Sequence, residues 1–286
     1  VKPTDHAGHV VALVVAVLLA VVAGAAPAGA RSAPAPPLTD ADGVPLGITP
    51  PVVGPFPPRH HAILAVGDSD LAQSLYLLPE ALAQHGMDAD VYDAHGNGWG
   101  LLDPVDGLMA PDVLDRALAA HPDIDTVVIG FVGVCAVACA PGKLPYGSRR
   151  FYSAWDAAAR ALVSRARIYG LQVVWAVEPP PAPSPTDDPP VEDFASLSMR
   201  HEVAATLVDH ARAYARAFGI AGVDFSQALS DTSGQWQQRL SYDGAVHDVR
   251  FDDKVHVTED GSRRTSSWMV ATLAQLWSRP QVAPLI

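Results

Sequence analysis

Ser69 stands in a Gly67-Asp68-Ser69 triplet, and Asp253 and His256 stand three residues apart in Asp253-Lys254-Val255-His256. Hydroxyl, imidazole and carboxylate are the groups that an activated serine nucleophile needs: a base to take the hydroxyl proton and an acid to orient that base. A Gly-Asp-Ser triplet is expected about 0.1 times by chance in a chain of this composition, so its presence is informative. An Asp-x-x-His pair is expected about once by chance, so that spacing carries weight only through its context. Taken alone, Ser69 reads equally well as a helix cap, because Asp68, Ser69 and Asp70 are all good capping residues.

The elements that must position these residues follow from hydrophobic patterning. Apolar runs at His61–Val66, Ala89–Ala94, Asp125–Phe131, Leu171–Val177 and Ile220–Phe225 read as strands. Helical spacing over Leu71–His85, Pro111–His121, Phe151–Tyr169, Phe194–Phe218 and Thr265–Trp277 places helices between and after them. Ser226–Asp252 shows no strong periodicity. Strands that are nearly continuous apolar runs, alternating with helices, belong to a parallel sheet covered on both faces. The expected fold class is α/β, a three-layer α/β/α domain with a five-stranded, mostly parallel sheet. Ligands of such sheets sit beyond the carboxyl ends of the strands. The Gly-Asp-Ser turn directly follows the first strand, and Asp253 and His256 directly precede the last helix.

The flanks are of a different kind. Val10–Val22 is purely apolar and is followed by Ala28-Gly29-Ala30, the pattern of a secretory signal peptide over residues 1–30. Retention as an N-terminal membrane anchor is the alternative, although the run is short for a span. Residues 31–58 are rich in Pro and Ala and read as an extended linker, with the globular domain over 59–286. The net charge of −12 disfavours nucleic acid and anionic membrane surfaces as partners. Two cysteines exclude a four-cysteine zinc site and a disulfide-dense scaffold.

With these blocks in this order, the chain resembles the SGNH/GDSL hydrolase superfamily of esterases, lipases, thioesterases and carbohydrate deacetylases, over roughly Arg59 to Pro280. The resemblance implies the flavodoxin-like fold of that superfamily, with Ser69 as nucleophile, His256 as base and Asp253 as its partner. Val91–Gly100 is similar to the second block, in which a glycine N–H serves the oxyanion hole. Gly98 matches best and Gly96 is the other candidate. The third block departs: where the superfamily places an asparagine, after Gly133, stands Val134, and Asn97 is the only nearby amide.

Cys135 and Cys139 form a C-x₃-C pair, which in an exported protein reads as a disulfide beside the site, with two buried free thiols as the alternative. The proline-rich stretch after Glu178 either shapes the substrate site or is a solvated excursion. Trp99, Trp175, Tyr146 and Trp236 are candidates for a pocket wall, with core packing as the competing reading. The function these features imply is an extracytoplasmic serine ester hydrolase or acyltransferase acting on a small-molecule, glycan or lipid acyl ester, with no metal or organic cofactor. A non-catalytic binder of acylated glycan or lipid on the same fold is the alternative, motivated by Val134.

Overall fold

Five apolar runs pair as parallel strands in the computed structural model, which describes residues 38–49, 51, 53, 59–183 and 200–279, all within one unit spanning 36–286. They are β1 (His61–Asp68), β2 (Ala89–Gly96), β3 (Thr126–Gly130), β4 (Gln172–Val177) and β5 (Ala221–Asp224), in the order β2-β1-β3-β4-β5. Every pairing is parallel, with Gly67 registered against both His95 and Gly130. All eight residues of β1 are buried, as a strand covered on both faces requires.

Alternate residues serve opposite faces. On one side Leu64, Val66 and Ile129 meet α3 (Ala110–Ala120), α4 (Arg149–Ile168) and α5 (His201–Phe218) through Val113, Trp155 and Leu207. On the other side Ile63, Ala65 and Val128 meet α1 (Ser69–Ser74), α2 (Leu78–Gln84) and α7 (Glu259–Trp277) through Leu71, Leu82 and Trp268. Each such large apolar side chain contributes roughly 1.5–3 kcal/mol on burial. A fourth helix on this face, α6 (Phe225–Ala228), follows β5 directly.

Several expectations change. Leu71–His85, expected as one helix, is two, with the break at Leu75–Leu77. Pro79, in the first turn of α2, lacks an N–H, and its ring would strike the carbonyl four residues back if the helix ran on. The freed Leu77 N–H donates to Ser262 Oγ at 3.1 Å. The last helix starts at Glu259 instead of Thr265, because Thr258 caps it through Gly261 N–H. Ser226–Asp252 contains an antiparallel hairpin, β6 (Arg239–Tyr242) and β7 (Ala245–Asp248). Its two-residue turn, Asp243-Gly244, has φ of 52° and 77°, the positive-φ pair that Asp-Gly favours. Within the stretch read as a linker, Leu46 and Gly47 bridge to Ser241 and Asp231, and Arg264 donates to the Ile48 carbonyl. The apolar N-terminal run, the expected start of the long helix at Phe194 and most of the proline-rich loop lie outside the described residues. Among the described residues no helix is long and apolar enough to cross a membrane.

Candidate active site

The strand order reverses between β1 and β3, the point where ligands bind in this architecture. There Asp68 caps α1, its Oδ1 accepting from the N–H groups of Asp70 and Leu71 at 3.1 and 3.3 Å. Its Oδ2 accepts from Val132 N–H at 2.7 Å, tying the end of β1 to the loop after β3. Burial pushes the Asp68 carboxyl up, and these three N–H donors pull against that rise. Ser69, the next residue, is thereby presented at the sheet edge.

Ser69 Oγ lies 3.3 Å from His256 Nε2 across 187 residues of sequence. His256 Nδ1 lies 2.7 Å from Asp253 Oδ2. The carboxylate can only accept, so Nδ1 carries the proton and Nε2 is left to accept from the serine hydroxyl. Asp253 Oδ1 takes the N–H groups of Val255 and His256 at 2.9 and 3.0 Å. Burial alone raises the Asp253 carboxyl, but these hydrogen bonds outweigh it and hold the group below the usual carboxylate range. Between Asp253 and His256, Lys254 adopts φ 63°, a left-handed conformation costing about 1–2 kcal/mol for a residue with a Cβ.

Ser69, His256, Asn97, Gly98 and Val134 line one cleft of about 320 Å³ together with Gln73 and Val255. Of the two glycine candidates, Gly98 faces this cleft at φ 64°. Gly96 ends β2, where a Cβ would press on Val105 and Trp99. Val134 is 5% exposed and packs with Val132, Ala204 and Val255. The second- and third-block loops touch because residue 100 is glycine: a Cβ there would stand 2.0 Å from the Val134 carbonyl oxygen.

Cys135 and Cys139 are joined in a disulfide. The same loop is held by buried Asp103, whose carboxylate accepts from Ala136, Val137 and Ala138 N–H at 2.6, 3.0 and 2.7 Å. The four aromatic candidates do not line the cleft. Trp99 packs edge-on against Phe131, and Trp175 against Trp155. Tyr146 donates to the Gly133 carbonyl at 3.0 Å, and Trp236 lies under the Arg250 guanidinium. Of the proline-rich loop, Ala182 donates to the Lys254 carbonyl at 2.9 Å, and residues 184–199 lie outside the described residues.

Sequence reasoning missed a set of charged and polar residues beneath and beside Ser69, His256 and Asp253. Asp70, Glu178 and Arg250 are 1%, 4% and 2% exposed. Glu178 Oε2 accepts from Ser74 Oγ at 3.4 Å. Both Asp70 oxygens, Glu178 Oε1 and Arg250 Nε have no hydrogen-bond partner among the described residues. Burial first, then the neighbouring carboxylates, push Asp70 and Glu178 well above the usual range, with Arg250 opposing. Burial pulls the Arg250 guanidinium down to about 10. A signal was present for Glu178, a lone charge at the carboxyl end of an apolar strand where sites form. None marked Gln73 or Asp103.

No protein-family model and no curated protein matches the sequence. Among solved structures, the native aryl esterase of M. Smegmatis aligns with a TM-score of 0.53 at 17% identity, over 76% of this chain and 99% of that one. A carbohydrate acetylesterase family member from Sinorhizobium meliloti aligns with a TM-score of 0.53 at 18% identity, over 77% and 100% of the two chains. A carbohydrate acetylesterase from the same organism gives 0.51 at 16% identity, over 76% and 99%. At these identities the likeness establishes the architecture alone: the chain shares the three-layer α/β/α fold of these structures, as expected from the sequence.

Proposed function

We propose that this protein is an exported serine ester hydrolase of the SGNH/GDSL type. The observation that carries the reading is the continuous relay of Ser69 Oγ, His256 and Asp253 at 3.3 and 2.7 Å, opening on one cleft at the switch point of the sheet. In this reading Ser69 Oγ attacks an acyl carbonyl carbon while its proton passes to His256 Nε2, and Asp253 steadies the imidazolium. The N–H groups of Ser69 and Gly98 hold the oxyanion. Collapse expels the alcohol, which takes the proton from His256, and leaves an acyl-Ser69. Water, deprotonated by His256, then releases the acid and regenerates the hydroxyl; a sugar hydroxyl in place of water gives acyl transfer.

The size of the cleft and the carbohydrate acetylesterase and aryl esterase likenesses support a short acyl group on a sugar or aryl alcohol as substrate. The signal-like N-terminus and the Cys135–Cys139 disulfide support export to an oxidising compartment. A fluorophosphonate that phosphonylates serine nucleophiles tests the activity: Ser69 takes the label and turns over p-nitrophenyl acetate, and Ser69→Ala abolishes both. One observation favours a second reading, a binder of acylated glycan or lipid: buried Val134 supplies no side-chain donor where the superfamily has an amide. Absence of label in the folded wild-type chain would decide for that reading.

A further inference from the structure

His256 sits in a loop that is anchored from outside as well as by its own bonds to Asp253. The loop carries Lys254 in the left-handed region, a conformation that persists only where surroundings enforce it. Within the loop, Phe251 N–H donates to the His256 carbonyl and Lys254 N–H to the Phe251 carbonyl, each at 3.0 Å. Two grips come from side chains that anchor the loop to other elements. On one side of His256, the Val257 N–H donates to Gln73 Oε1 at 3.0 Å. Gln73 stands one turn beyond Ser69 on α1, so this bond references the base directly to the helix that carries the nucleophile. Because a backbone donor claims Oε1, the orientation of the side-chain amide is set. On the other side, Arg250 Nη1 donates to the Val255 carbonyl at 2.7 Å. Its Nη2 reaches the Pro180 carbonyl beyond β4 at 3.4 Å, and its charge is set against Asp70 of α1 and Glu178, the residue after β4.

We propose that Gln73 and Arg250 are positioning residues that hold His256 over Ser69 by gripping the main chain on either side of the imidazole. This rests on the ester-hydrolase reading. Neither side chain takes part in the relay; Gln73 also lines the cleft, so KM is read beside kcat to separate placement of His256 from contact with substrate. Misplacing a catalytic group by about 1 Å costs on the order of 10²-fold in rate.

The test compares Gln73→Leu, Gln73→Glu, Arg250→Met and Arg250→Lys with the wild type, using p-nitrophenyl acetate kinetics, the rate of fluorophosphonate labelling and thermal unfolding. Gln73→Leu and Arg250→Met are expected to lower kcat and the labelling rate by about tenfold to a hundredfold, with KM changed by less than about threefold. Gln73→Glu keeps an acceptor for Val257 N–H and is expected to recover most of the loss, which a packing role would not predict. Arg250→Lys, able to serve one carbonyl, is expected to fall between. If Arg250→Met does not fold, the two Gln73 variants and Arg250→Lys decide. Folded Gln73→Leu with wild-type labelling and kcat overturns the proposal, as does Gln73→Glu no faster than Gln73→Leu. A wild-type chain that takes no label at Ser69 overturns the hydrolase reading and this inference together. Labelling of the wild type with unaltered rates in the variants overturns this inference alone.

Discussion

Replacing Asp253 by asparagine separates the orienting role of this carboxylate from its role in building the loop. Asp253 Oδ1 accepts two main-chain N–H groups, at 2.9 and 3.0 Å, and Oδ2 accepts from His256 Nδ1 at 2.7 Å. Asparagine has one acceptor oxygen and one NH₂. The two main-chain donors claim the oxygen, so the NH₂ must face Nδ1. A donor facing Nδ1 forces the imidazole proton onto Nε2, the nitrogen 3.3 Å from Ser69 Oγ. That nitrogen can then no longer take the serine proton. Tautomer reversal of this kind costs about 10⁴ in kcat, or about 5.4 kcal/mol of barrier at 1.36 kcal/mol per decade. The loop should survive, because both main-chain bonds have an acceptor, and the melting temperature should stay within about 4 °C of the wild type. Asp253→Ala loses those bonds as well and should lower both activity and melting temperature. The assay is p-nitrophenyl acetate turnover at neutral pH with fluorophosphonate labelling and thermal unfolding in parallel. A folded Asp253→Asn protein within tenfold of wild-type kcat would refute the assignment of Asp253 as the partner of His256.

Three further outcomes are expected. Val134→Asn should raise kcat about tenfold or more by adding an oxyanion donor, at a stability cost of about 1–3 kcal/mol because the side chain is packed among Val132, Ala204 and Val255; an unchanged kcat in the folded variant would mean that another group fills the role, and Asn97→Ala should then depress turnover. Reduction of the Cys135–Cys139 bond, which spans four residues, should lower stability by about 2 kcal/mol on chain-entropy grounds, and two freely alkylatable thiols in native protein from an oxidising compartment would contradict the pairing. Glu178 is raised in the folded state, first by burial, so the stability it confers is present below its unfolded value of about 4.3 and is lost as pH rises towards the folded value; melting temperatures measured from pH 4 upward should therefore decline less steeply in Glu178→Gln than in the wild type, and parallel slopes would exclude this contribution.

Local chemistry made much of this protein legible from its residues. Continuous apolar runs such as Ile63–Val66 read as strands buried on both faces, and their alternation with helices implies a parallel sheet. The Gly67-Asp68-Ser69 turn after the first of them, and Asp253 and His256 before the last helix, pointed to the two halves of the candidate site because strand ends are where such sheets bind. Long-range partners were another matter. Nothing in the spacing of Gly96 and Gly98 says which faces the cleft; Val105 and Trp99, packed over Gly96, decide it. The hairpin around Asp243-Gly244 went unread because the short strands it joins are too polar to show a period. In sequence Asp70 reads as a helix cap and Arg250 as an ordinary surface charge, and only Glu178, at the end of an apolar strand, stands out. They become buried, and the two carboxyls shift upward, only because α1, β4 and the histidine loop close over one another. The same closure brings Gln73 to Val257 and His256 to Ser69, across 184 and 187 residues. Periodicity and capping act over a few residues and are written in the chain locally, whereas burial, charge compensation and the meeting of Ser69 with His256 exist only once distant segments share one volume.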